Sequence, residues 1–199
     1  MARPGASVSC YTAPMRRVIL AVLAIVAFTH PLHATVIVPL EFRELVAAAP
    51  IIVHGRVVDV RAGWVDGRRR VETVVTLRAE DYLKGRLDDE ELTFKVPGGQ
   101  IGRYRTVMIG APDFAAGDEV VLFLNSAGAD RYVFGLSLGV FRVVLDEPSG
   151  RRLVIPPPVM AKLAGDAEAV VRGDPARRPL PLDAFEQTVR QVIAQRGAR

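Results

Sequence analysis

The sequence predicts a mainly β domain with flanking helices, and three stretches carry that expectation. Leu92, Phe94 and Val96 alternate with Thr93 and Lys95, the period-two pattern of a strand with one buried face. Val120 to Leu124 is apolar without interruption, as a central strand covered on both faces requires. Near the C-terminus, Phe185, Val189, Val192 and Ile193 recur at i, i+4, i+7 and i+8, one face of an amphipathic helix. The 199 residues suffice for one domain with a real core.

Taken in order, residues 1–34 read as a signal peptide. Arg16 and Arg17 precede Val18 to Phe28, an unbroken apolar run too short for a membrane span of about 20 residues. Leu32-His33-Ala34 then offers a cleavage site of the small-residue type. In the segment 35–50, Phe42, Leu45 and Val46 fall on one face of a short helix over Leu40 to Ala48, ended by Pro50. The β domain spans 51–155. Its strands are expected at Ile51 to Val60, Val71 to Ala79, Leu92 to Val96, Arg103 to Ile109, Val120 to Leu124, Arg131 to Phe134, Val140 to Leu145 and Arg151 to Ile155. Gly55 inside the first strand signals a bulge or a close backbone approach. Asp66-Gly67, Pro97-Gly98-Gly99, Gly110-Ala111-Pro112 and Glu147 to Gly150 are the turns. A connection rich in Pro, Gly and Ala covers 156–181, with one short helix near Val159 to Leu163. The last helix, 182–196, is expected to take Asp183 as its cap, with Glu186 three residues on, to stop at Gly197 and to pack on the β core.

Charge and cysteine usage narrow the function classes. Of the 26 basic and 22 acidic residues, three arginines and no acid fall within 1–34, so the remainder is close to neutral. That balance argues against a nucleic-acid partner. The single cysteine, Cys10, precedes the apolar run and leaves with the signal, so the exported chain has neither disulfide nor thiol chemistry.

The chemistry-bearing residues are few. His54 is the only histidine after residue 34, and a protein-only zinc site needs more Cys or His ligands than that. It reads as a half-buried strand histidine. Gly135-Leu136-Ser137-Leu138-Gly139 matches the G-x-S-x-G nucleophile elbow, but an elbow needs a helix after Ser137 and a later histidine, and neither is expected here. Pro97 to Gly102 lacks the Lys-Ser/Thr and the helix of a phosphate loop. Asp88 to Glu91 lacks the spacing of a calcium loop. No catalytic residue, metal or cofactor is therefore assigned. Trp64 with Arg68, Arg69 and Arg70 is the candidate binding surface, because Trp and Arg dominate interaction hot spots.

IIVHGRVVDV, TLRAEDYLKG, FKVPGG, GAPDFAAGDEVVLFL and GLSLGVFRV together resemble an uncharacterised family of exported bacterial β-rich proteins, over about Thr35 to Val143. Asp118-Glu119 stands where that pattern has Gly-Glu. The same order of pieces is distantly similar to netrin-like and tissue-metalloproteinase-inhibitor modules, which are OB-type barrels. That resemblance implies a small OB-like barrel over Ile51 to Ile155, the alternative being an open β-sandwich. Those inhibitors hold a protease zinc through an N-terminal cysteine, which Thr35 does not supply, so only the fold is implied. The expectation is a non-enzymatic exported binding module, periplasmic or extracellular, whose partner is another exported protein and which has no stable membrane span. The alternatives are an accessory or inhibitory partner of a secreted hydrolase, and a hydrolase using Ser137.

Overall fold

The computed structural model describes residues 41–87, 89–157 and 178–197, all within one compact unit, Val38–Arg199. The expected signal peptide and the helix near Val159 to Leu163 lie outside the described residues, as does Asp88 of the acidic run. Helix α1 is Phe42–Ala48 and helix α2 is Leu182–Gly197. Between them run β1 (Ile51–Val65), β2 (Arg70–Lys84), β3 (Glu91–Pro97), β4 (Gly99–Ile101), β5 (Tyr104–Thr106), β6 (Glu119–Ala127), β7 (Asp130–Val133), β8 (Val140–Asp146), β9 (Arg151–Ile155) and β10 (Leu180–Pro181).

Among the described residues the fold is mainly β, with two helices and one large mixed sheet. Eight strands follow the order β1-β2-β3-β7-β6-β8-β9-β10, and β1 also pairs with β6. Hydrogen-bonded neighbours therefore run from β1 through β2, β3, β7 and β6 back to β1. Every pairing in that circuit is antiparallel except β3 with β7, which meet at the single parallel pair Lys95↔Tyr132. Lys95 Nζ pins this seam by donating to Asp130 Oδ2 at 2.6 Å, and that hydrogen bond raises the lysine's pKa.

Strand β6 pairs with β1, β7 and β8, so its backbone is hydrogen-bonded along both edges. On one face Val120, Leu122 and Leu124 join Val53, Val57, Val75, Leu77, Leu92, Phe94 and Val96 in the main core. On the other, Phe123 packs with Phe42, Phe141 and Phe185, whose ring centroids lie 5.1–6.1 Å apart. Phe42 comes from α1 and Phe185 from α2, so the two helices cover the outer face of the sheet. Burying each ring stabilises the fold by about 1.5–3 kcal/mol. The C-terminal carbonyls of α1 are capped from the sheet: Lys84 Nζ donates to Val46 O at 2.8 Å and to Ala47 O at 2.9 Å. Burial, followed by the Arg196 charge, holds Lys84 below the ordinary lysine pKa.

Several expected boundaries move. β1 and β2 extend to fifteen residues each because their hairpin continues outward to the turn at Asp66-Gly67-Arg68, where all three residues have positive φ. Arg103 to Ile109 is not one strand. Only Tyr104–Thr106 has a ladder partner, the short β4, and Val107 to Ile109 continue as exposed chain. Leu180–Pro181, expected in the connection, adds two residues beside β9. Helix α2 begins at Leu182, which places Asp183 inside the first turn rather than at the cap, and it runs through Gly197.

The register shift at His54/Gly55 places Gly55 against β2 so closely that a Cβ there would lie 2.3 Å from Arg78 O. Gly55→Ala is expected to destabilise the chain by about 1–3 kcal/mol, because backbone on both strands must shift. Urea unfolding measures this, and an unchanged midpoint would mean the strands are farther apart at that point.

Candidate functional site

The β1–β2 hairpin carries Trp64 at the end of β1 and Arg68 and Arg69 in its turn. The β4–β5 hairpin folds against it, and three contacts fix that approach. Val71 N donates to Thr106 Oγ1 at 3.0 Å, and Thr73 Oγ1 donates to Gly98 O at 2.8 Å. Gly99, with φ of 142°, sits where a Cβ would lie 2.6 Å from Thr73 Oγ1. Only glycine lets the second hairpin lie this close.

The result is a cleft of about 670 Å³ between the two hairpins, with Trp64 and Tyr104 set edge to face at 5.4 Å. Arg103 lies over the Tyr104 ring at 5.2 Å and donates to its hydroxyl at 3.1 Å. Arg68, Arg69, Arg103 and Arg105 all line the cleft, and none has an acidic partner among the described residues. Four like charges gathered at one rim repel one another unless a counter-charge arrives. Of the residues singled out from sequence, Trp64, Arg68 and Arg69 are brought together here. Arg70 is not: its guanidinium is held by Asp66 Oδ2, with Nε at 2.7 Å. Arg103, Tyr104 and Arg105 were missed. Their basic-aromatic run, Arg-Tyr-Arg, is the available signal, but it lies inside the stretch Arg103 to Ile109 that was expected only as a strand.

A second cluster forms around His54, which is 4% exposed and so buried rather than half-buried. His54 follows Ile52 on the outer face of β1, where the apolar cover of the helices ends. Its Nε2 lies 3.0 Å from Glu119 Oε1 and 3.7 Å from Glu80 Oε2, and its Nδ1 lies 3.3 Å from Glu186 Oε1 on α2. Arg56 and Arg152 reach Glu119 at 2.8 and 2.9 Å, and Arg190 of α2 pairs with Asp81. One charged network thus ties α2 to β1, β2, β6 and β9. His54, Glu80 and Glu119 offer ligand atoms within 4.8 Å of one another, a spacing that suits a metal ion. Two guanidinium groups already occupy the Glu119 oxygens, so a cation entering there meets positive charge, and the cluster reads as an ion-paired clasp.

Ser137 stands elsewhere, in the 3-10 turn Leu136–Gly139, with β8 following immediately. It lines a mostly apolar cavity of about 320 Å³ with Pro112, Val140, Arg142 and Pro157, and the His54 ring is engaged by carboxylates instead. No family model matches the chain, and no curated protein or solved structure matches it significantly.

Burial of Glu119 opposes its ionisation, but the His54 hydrogen bond and Arg152 outweigh burial and hold its pKa below the ordinary 4.5. A depressed folded pKa means the carboxylate's contribution is complete above that ordinary value and is lost as pH falls through the lower folded one. Glu119→Gln is therefore expected to cost roughly 2–3 kcal/mol at pH 7, with the difference from wild type closing in acid below the folded pKa. Denaturant unfolding across that range checks it, and a pH-independent difference would contradict the ionic origin.

Proposed function

We propose that the chain is an exported, non-catalytic binding module whose basic aromatic cleft holds an anionic ligand. One observation carries this reading: Arg68, Arg69, Arg103 and Arg105 converge on Trp64 and Tyr104 without acidic partners among the described residues. Guanidinium groups recognise carboxylate and phosphate through paired N–H donors, and an aromatic floor adds contact area at little entropic cost. The apolar run Val18 to Phe28 behind Arg16-Arg17 supports export to the periplasm or beyond.

We read the β1-β2-β3-β7-β6-β1 circuit as a small barrel of the OB type, five-stranded and partly open, with the one-pair β3–β7 seam as its weak edge. Such barrels bind through the loops between strands and along one face, and the cleft lies between two hairpin tips. The netrin-like expectation gains support from the same circuit, without any inhibitory role attached to it.

Trp64 is the only tryptophan, so its fluorescence reports the cleft directly. Titration with hexaglutamate or inorganic polyphosphate is expected to give a saturable change that weakens with salt. The combined Arg68→Ala, Arg69→Ala and Arg105→Ala variant should lose affinity about tenfold or more, since each charged hydrogen bond is worth about 1.5–3 kcal/mol. No response, or an equal response in the variant, would overturn the reading.

A further inference from the structure

The chain leaves the cleft through an exposed apolar run. Arg105 and Thr106 line the cleft, and Val107, Met108 and Ile109 follow at 68%, 47% and 91% exposure. Three consecutive large apolar side chains in water are costly, at about 25 cal/mol for each Å² left uncovered. A second cavity shares Arg105, Thr106, Val107 and Met108 with Gly98 and Gly99, so the run rests on the backbone of the Pro97-Gly98-Gly99 break. Gly98 lies close enough that a Cβ would meet the Thr106 carbonyl at 3.0 Å and Met108 Cβ at 3.9 Å.

From Arg103 to Ile109 the order is thus guanidinium, phenol, guanidinium, the Thr106 hydroxyl held by Val71 N, then three apolar side chains. Trp64, Arg68 and Arg69 stand beside its first half. The distance is short: extended chain rises about 3.3 Å per residue, so Arg105 and Ile109 are at most about 13 Å apart. A protein partner would need an acidic patch and an apolar pocket side by side. An anionic lipid surface offers both at once, phosphates at the headgroup level and hydrocarbon immediately below, with the interface that Trp and Tyr rings prefer between them.

We infer that this face docks on an anionic phospholipid bilayer, with Val107, Met108 and Ile109 inserted into the acyl boundary. Arg68, Arg69, Arg103 and Arg105 then lie on headgroup phosphates, and Trp64 and Tyr104 at the interface. No helix among the described residues is long and apolar enough to cross a membrane, and surface docking requires none. The inference rests on the cleft being an anion site and names the source of the anion.

Co-sedimentation with vesicles tests it, using the chain as recovered from the exported fraction. Phosphatidylglycerol–phosphatidylcholine vesicles are compared with pure phosphatidylcholine. Binding is expected to favour the anionic vesicles at least tenfold and to fall with salt. It should drop about fivefold for each arginine removed in Arg68→Ala and Arg69→Ala. The exposed pair Met108→Ser and Ile109→Ser, which leaves the charge unaltered, should drop it about tenfold or more while leaving the Trp64 response to hexaglutamate unchanged. Equal binding to both vesicle types, or anionic binding indifferent to Met108→Ser and Ile109→Ser, would overturn the lipid assignment. A saturable response to hexaglutamate with no vesicle binding would overturn it as well, leave the anion cleft standing and point to an acidic segment of another exported protein. Failure of both probes would remove the cleft reading itself.

Discussion

Strand β6 is the constraint on which the rest of the molecule depends. From Val120 to Leu124 it is fully buried and apolar on both faces. Such a strand cannot sit at an edge or under one layer of cover. Its backbone must be paired on both sides, which β1, β7 and β8 provide, and each face needs its own apolar partner. One face closes over the core built from β1, β2 and β3. The other gathers Phe42, Phe141 and Phe185 and so dictates where both helices dock.

The charged clasp follows from the same geometry. Phe123 and Val121 share the outer face of β6 with Glu119, and Ile52 shares that of β1 with His54. Where the helices' apolar faces run out, the sheet presents a histidine and a glutamate, and α2 answers with Glu186. A buried ion-paired network is weak evidence for net stability. Here it fixes the register of α2 on the sheet, since sliding the helix would separate His54 from Glu186 and Arg190 from Asp81. The cleft, by contrast, lies at the far ends of two hairpins, beyond the core. Its arginines are exposed and its shape is set by backbone contacts at Gly98, Gly99 and Thr106, so binding chemistry there costs the core nothing.

Much of the β framework was legible because each strand's pattern reflects how many faces it buries. Leu92-Phe94-Val96 and Val120 to Leu124 are the clearest cases. The short helix α1 was legible from Phe42, Leu45 and Val46. Half of the cleft was visible as Trp64 with an arginine run in a turn. Its other half was hidden, because Arg103 to Ile109 mixes polar and apolar residues in a way that satisfies a strand template while only three of its residues find a partner. The role of His54 was hidden for a different reason. Its partners Glu80, Glu119 and Glu186 are 26 to 132 positions away in sequence, and only the pairing of β1 with β2 and β6 and the docking of α2 bring them together.

Native-state hydrogen exchange compares the rigid body with the surface that projects from it. The amides of Val120 to Leu124 are expected to exchange most slowly, only through global unfolding, and those of Val107 to Ile109 among the fastest. Exchange of the Val120 to Leu124 amides at rates like those of Val107 to Ile109 would mean that β6 is not the doubly covered spine, and the placement of both helices and both hairpins would lose its physical basis.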